Sequence, residues 1–85
     1  MTILVTGGLG YIGSHTVVEL LKNNFQVIIV DDMSNSEKFI LDNIEKVAGK
    51  RPVFFPFDLK RKELLAQVFD AYEIDGCINF AAYKA

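Results

Sequence analysis

The sequence predicts an α/β fold: the βαβαβαβ portion of a doubly wound parallel sheet with strand order 3-2-1-4. Three observations predict it. Short aliphatic runs of strand length alternate with stretches whose apolar residues recur at helical spacing. The first run, Ile3-Leu4-Val5, carries no polar alternation and so reads as a strand buried on both faces, as parallel strands are. Each strand is followed by a helix-length connection, and strands joined in this way lie parallel with right-handed crossovers.

Taken in order, Thr2 to Thr6 is the first strand, and it gives way to four glycines, Gly7, Gly8, Gly10 and Gly13. Tyr11 to Asn23 then carries Gly13, Val17, Leu20 and Leu21 at helical spacing, one stripe to face a sheet, and Asn23-Asn24 ends it. Gln26 to Val30 is a second strand closed by Asp31-Asp32. Ser34 and Glu37 have capping-box spacing before a helix whose stripe is Ile40, Leu41, Ile44, Val47 and Ala48, with Gly49 as its C-terminal cap. Pro52 to Phe57 reads as a third strand with prolines at its margins. Asp58 is placed to cap a third helix with the stripe Leu64, Leu65, Val68, Phe69 and Tyr72, and Gly76 to Ala81 is a fourth strand.

Composition sets limits on function. At 85 residues and 51% hydrophobic, the chain can build one modest core, since a chain of this size buries roughly 60 to 65% of its unfolded surface. A net charge of −2 and a pI of about 5.2 leave no basic footprint for nucleic acid, and Lys60-Arg61-Lys62 reads as the solvated start of a helix. Cys77 is a single cysteine without an internal disulfide partner, which agrees with a reducing, cytoplasmic setting; its place in a strand predicts an inert buried thiol. His15 has no second ligand nearby in sequence and reads as a surface or helix-packing residue. No metal set, repeat, signal peptide or membrane span is visible in these residues.

The glycines carry the chemistry. Gly8, Gly10 and Gly13 satisfy G-x-G-x-x-G, and Gly7, Gly10 and Gly13 satisfy the looser G-x-x-G-x-x-G; both fit. They follow a strand and open a helix, and an acid stands about 20 residues on, at the end of the second strand, which is the context of a dinucleotide-binding, Rossmann-type turn. A phosphate fits where the unpaired N–H groups and the positive dipole end of that helix meet. No Lys-Ser or Lys-Thr follows the glycines, so the P-loop pattern fails. Asp31 can accept hydrogen bonds from the adenosine ribose hydroxyls, and with Asp32 it repels the extra 2′-phosphate of NADP, so the expected cofactor is NAD.

Thr6-Gly7-Gly8-Leu9-Gly10-Tyr11-Ile12-Gly13-Ser14-His15-Thr16, then Asp31-Asp32-Met33-Ser34-Asn35-Ser36, then Phe80-Ala81-Ala82-Tyr83-Lys84-Ala85 resemble the start of the UDP-glucose 4-epimerase family, within the extended short-chain dehydrogenase/reductases. The resemblance implies that Gly7, Gly10, Tyr11, Ile12 and Gly13 hold the NAD pyrophosphate and Asp31 the ribose, with Asp32 beside it. It places Asn35 and Ser36 in the same loop and Asp58 and Leu59 against the adenine. Phe80, Ala81, Ala82 and Lys84 would follow the cofactor toward the nicotinamide. Three positions depart from the commonest family wording: Asp32 for asparagine, Asn79 for histidine and Ala82 for glycine.

Such family members interconvert UDP-glucose and UDP-galactose, in galactose metabolism, using a serine or threonine and a Tyr-x-x-x-Lys pair while hydride passes to NAD and back. Here Tyr11 is followed four residues on by His15 and Tyr72 by Gly76, while Tyr83 lies at the end of the sequence. The resemblance therefore implies an N-terminal cofactor segment, residues 1 to 85 of a Rossmann domain without its substrate domain or catalytic residues, inactive alone, from a full-length homodimer that takes a UDP-sugar. A non-catalytic NAD-binding module and a segment of a sibling nucleotide-sugar epimerase or dehydratase are the alternatives. In the order 3-2-1-4, the first two helices cover one face and the third crosses to the other. The second face should be mostly bare and the fourth strand an open edge, which makes the isolated chain marginal or prone to association.

Overall fold

Alternating strands and helices are what the structure contains. A computed structural model of the chain describes residues 1–7, 11–32 and 37–80. Its elements are β1 (Thr2–Thr6), α1 (Tyr11–Lys22), β2 (Gln26–Val30), α2 (Glu37–Ala48), β3 (Val53–Phe55), α3 (Lys62–Ala71) and β4 (Gly76–Asn79). All three strand pairs are parallel, in the order β3-β2-β1-β4.

Register sorts the strand residues into two cores. Parallel partners point to the same face, so Ile78, Val5, Ile29 and Phe54 form one row across the sheet, and Cys77, Leu4, Ile28 and Val53 form the next row on the opposite face. On the first face, Val5, Val27 and Ile29 pack against Val17 and Leu21 of α1 and Leu41 and Ile44 of α2. On the second, Leu4, Ile28 and Val30 pack with Val68 of α3, flanked by Leu65, Tyr72 and Phe55. The Phe55 ring meets Tyr72 edge-on at 6.2 Å, which seats α3 beside β3. Two helices on one face and one on the other is the winding that the sequence pattern predicts.

Helix ends follow local chemistry. At the end of α1, Asn24 adopts φ 68°, its N–H reaches the Leu21 carbonyl, and the N–H of Phe25 reaches that of Leu20 at 3.1 Å. This is a Schellman cap, closed by the Phe25 and Leu20 side chains on the first core. Gly49 ends α2 with φ 79° and an N–H bonded to the Glu45 carbonyl. The Ser34 half of the expected capping box lies outside the described residues.

Four expectations need correction. β3 runs only from Val53 to Phe55 because Pro52 and Pro56 have no N–H to give to the ladder, and the chain turns at once, with the Phe57 N–H on the Phe55 carbonyl. β4 stops at Asn79, although the N–H of Phe80 still reaches the Thr6 carbonyl at 2.8 Å. Val47 and Phe69, placed in apolar stripes, are 53% and 48% exposed and belong to neither buried core. Cys77 is exposed: it lies at the β4 end of a row on the second face, past the cover that α3 gives to β1, β2 and β3. The expected bareness of that face is thus confined to β4, where Cys77 and Asn79 are both exposed.

Partial desolvation by the sheet nevertheless pushes the Cys77 thiol above its ordinary pKa. Native protein should be alkylated stoichiometrically at this one thiol by iodoacetamide, with a pH midpoint above that of free cysteine. Protection until denaturation, or reaction faster than that of a free thiol at neutral pH, would contradict this placement.

Candidate functional site

All four strands end at one edge of the sheet, and backbone bonds tie their exits together. Gly7 turns the chain out of β1 with φ 72°, and its N–H is held by the Val30 carbonyl at 3.0 Å. Only glycine enters that region without steric cost, which is why the strand can stop and redirect at this point. The Asp31 N–H in turn reaches the Phe55 carbonyl at 3.3 Å.

These exits enclose a cavity of about 180 Å³ lined by Gly7, Val30, Asp31, Asp32, Phe57, Asp58 and Leu59. Its walls are apolar at Val30, Phe57 and Leu59, and among the described residues its lining has three carboxylates and no lysine or arginine. Asp31 is 4% exposed, whereas Asp32 and Asp58 are exposed. Such a site suits a flat apolar group carrying hydroxyls, whose protons the carboxylates can accept, and it disfavours a second negative charge.

Asp58 is not the cap of α3. Its Oδ1 accepts the Lys60 N–H at 2.9 Å and its carbonyl accepts the Arg61 N–H, a side-chain turn completed before the helix starts. The N-cap position belongs to Arg61, which makes no side-chain cap bond. Asp58 therefore shapes the turn that carries Phe57 and Leu59.

The helix α1 begins at Tyr11 with no acidic residue in its first turn, so the positive end of its dipole meets no carboxylate of its own first turn. Gly13 is buried in that turn, and Ile12 is 66% exposed. Gly7 contributes its turn and not its N–H, which Val30 already holds. The side chain of Phe80 packs against the first core, and its backbone continues from β4. Gly10, Asn35, Ser36, Ala81, Ala82 and Lys84 lie outside the described residues.

Of the predicted site residues, Gly7, Asp31, Asp32, Asp58 and Leu59 come together. Val30 and Phe57 line the same cavity and were missed, since both read as apolar strand residues; their position at the strand ends, directly before Asp31 and Asp58, was the available signal. The bond from the Thr6 hydroxyl to Asn79 Oδ1 at 2.6 Å was also unforeseen. His15 is exposed, as expected, in a separate depression of about 340 Å³ between α1 and α2, with Phe39 and Val47. Among the described residues, no cluster of three His, Cys, Asp or Glu groups can hold a metal, and no helix is long and apolar enough to cross a membrane.

Comparison with known proteins places this geometry in a family. Residues 4–85 match the family model described as GDP-mannose 4,6 dehydratase. The chain is 53% identical over 83 residues to the bifunctional protein gal10 of Schizosaccharomyces pombe, covering 98% of this chain and 12% of that protein. It is 47% identical over 85 residues to the UDP-glucose 4-epimerase of Erwinia amylovora, covering 100% of this chain and 25% of that one. The crystal structure of UDP-glucose 4-epimerase from Bifidobacterium longum in complex with NAD+ and UDP superposes with a TM-score of 0.88 at 39% identity, over 94% of this chain and 24% of that one. The chain thus spans a quarter or less of the length of these relatives.

At Gly7 the backbone alone sets the cost of substitution. Gly7→Ala should lose about 1–2 kcal/mol in urea unfolding. Gly49→Ala, at φ 79° with nothing within 4 Å of an added Cβ, should lose a similar or smaller amount. A neutral Gly7→Ala would contradict the left-handed turn.

Proposed function

Because the chain belongs to the family described as GDP-mannose 4,6 dehydratase, we propose that it is the NAD-binding segment of a nucleotide-sugar epimerase. The observation that carries the proposal is the cavity in which Gly7, Asp31, Asp32, Asp58 and Leu59 converge. It lies at the carboxyl edge of a parallel sheet of order 3-2-1-4, where ligands of such sheets bind.

In this reading Phe57 and Leu59 flank the adenine and Asp31 accepts the ribose hydroxyls. The pyrophosphate lies on the first turn of α1, at Tyr11, Ile12 and Gly13 after Gly10, with Gly7 supplying the turn. Asn35 and Ser36 line the loop after β2, and Ala81, Ala82 and Lys84 follow Phe80 along the nicotinamide half. When bound, NAD supplies a reversible hydride acceptor for C4 of the sugar. The residues of this chain bind the adenosine and orient the dinucleotide; none is assigned the sugar proton, because no Tyr-x-x-x-Lys spacing occurs in them.

The proposed activity of the whole protein is interconversion of UDP-glucose and UDP-galactose, favoured over a sibling dehydratase because the named relatives above are UDP-glucose 4-epimerases or a bifunctional gal10 protein. A homodimer that takes a UDP-sugar in the cytoplasm, without nucleic acid, completes the reading. The single free cysteine and the acidic balance support that setting.

Titration calorimetry should give at least about tenfold tighter binding of NAD than of NADP, because the 2′-phosphate would meet Asp31 and Asp32. Asp31→Ser should narrow that ratio mainly by weakening NAD and relieving the repulsion of NADP. Tighter binding of NADP by the unaltered protein would overturn the assignment.

A further inference from the structure

The carboxyl-edge cavity, at about 180 Å³, is smaller than the roughly 300–1,000 Å³ of sites that enclose a small molecule. A second space of about 250 Å³ lies between β3 and α3, lined by Phe55, Phe57, Leu64, Gln67, Val68 and Ala71. β3 stands at the opposite end of the sheet from β4. Phe57 is the one residue that lines both spaces.

At Phe57 the backbone is pinned on both sides. Its N–H is held by the Phe55 carbonyl at 3.1 Å, and the turn that follows is closed by the Lys60 N–H on Asp58 Oδ1 and the Arg61 N–H on the Asp58 carbonyl, each at 2.9 Å. What can move at this wall is the rotamer of the half-buried Phe57 side chain. Val30, the neighbouring apolar wall, is 1% exposed and fixed in the second core. There is room for the ring on the far side: a cavity of about 150 Å³ with apolar walls takes up benzene, and the space against α3 is larger. Apart from Gln67 its lining residues are apolar, and two of them, Phe55 and Val68, belong to the core against which Phe57 already packs. The Phe57 and Phe55 rings stand 6.5 Å apart, tilted at 54°. A turn toward α3 therefore exchanges one apolar surrounding for another with little change in buried area.

We propose that the Phe57 side chain is a movable wall: it narrows the carboxyl-edge cavity when no ligand is bound and turns toward α3 to admit a purine base, an inference that rests on the NAD reading above and deepens it. Affinity for an adenosine-bearing ligand then depends on the space beside Gln67 and Ala71, although neither residue lines the carboxyl-edge cavity.

Ala71 is exposed at the C-terminal end of α3, so Ala71→Leu fills that space from the helix side without entering the second core. Calorimetry with NAD compares the intact chain with its Ala71→Leu, Phe57→Ala and double variants, each checked for cooperative melting. Ala71→Leu should weaken NAD about five- to tenfold by denying the ring its place. Added to Phe57→Ala, which has no ring to move, the same change should cost nothing further. In ¹³C-methyl spectra the Ala71 methyl of the unaltered protein should move when NAD is added, since a ring then lies closer to it. Unchanged NAD affinity in folded Ala71→Leu, or an equal loss with and without Phe57, would overturn the inference alone. Should Phe57→Ala fail to melt cooperatively, the methyl decides: movement with NAD supports the turning ring, and a fixed resonance overturns it. Failure of the unaltered protein to bind NAD would overturn the functional reading and this inference with it.

Discussion

The left-handed backbone at Gly7 is the constraint on which the rest of this edge depends. A strand buried on both faces cannot end in the core without giving its next N–H a partner, and Gly7 gives it to Val30 while turning the chain toward α1. That one bond ties the β1 exit to the β2 exit at the residue before Asp31. Asp31, directly after β2, thereby comes to line the same cavity as Gly7. A side chain at Gly7 would strain the turn, so the backbone conformation itself favours glycine there.

The two faces of the sheet have different strengths. The first buries side chains from α1, α2, β1 and β2 in one cluster, and fully buried aliphatic residues of this kind contribute about 1.5–3 kcal/mol each. The second rests on Val68, Leu65 and Tyr72 of α3, centred over β1 and β2, and it fades at β4. The cavity at the carboxyl edge therefore stands on the better-supported part of the sheet. Salt bridges add little to either face: Arg51 reaches Asp42 and Glu45 at 2.9 Å, but all three side chains are largely in water.

The strands, the helix stripes and the placing of Gly7 and Asp31 at the sheet edge were legible in the sequence because each has a local cause, whereas Asp58 and Leu59 were placed there by the family resemblance. Aliphatic runs mark strands, glycine marks a turn that other residues resist, and an acid directly after a strand must lie at the sheet edge. What was not legible depends on neighbours distant in sequence. Asp58 has the composition of a helix cap, but one bond to its side chain and one to its carbonyl close a turn on it first, and the helix starts at Lys62. Cys77 reads as buried from its strand, yet register places it past the reach of α3. The Thr6 and Asn79 pair is 73 residues apart, and only the parallel pairing of β1 with β4 brings it together.

The central claim is that a dinucleotide lies along this carboxyl edge, and amide chemical-shift mapping on ¹⁵N-labelled protein titrated with NAD tests it most directly. The account predicts the largest shifts at Gly7, at Tyr11 to Gly13, and at Asp31, Asp32 and Leu59. Shifts confined to the depression between α1 and α2, at His15, Phe39 and Val47, with the edge amides unmoved, would contradict it.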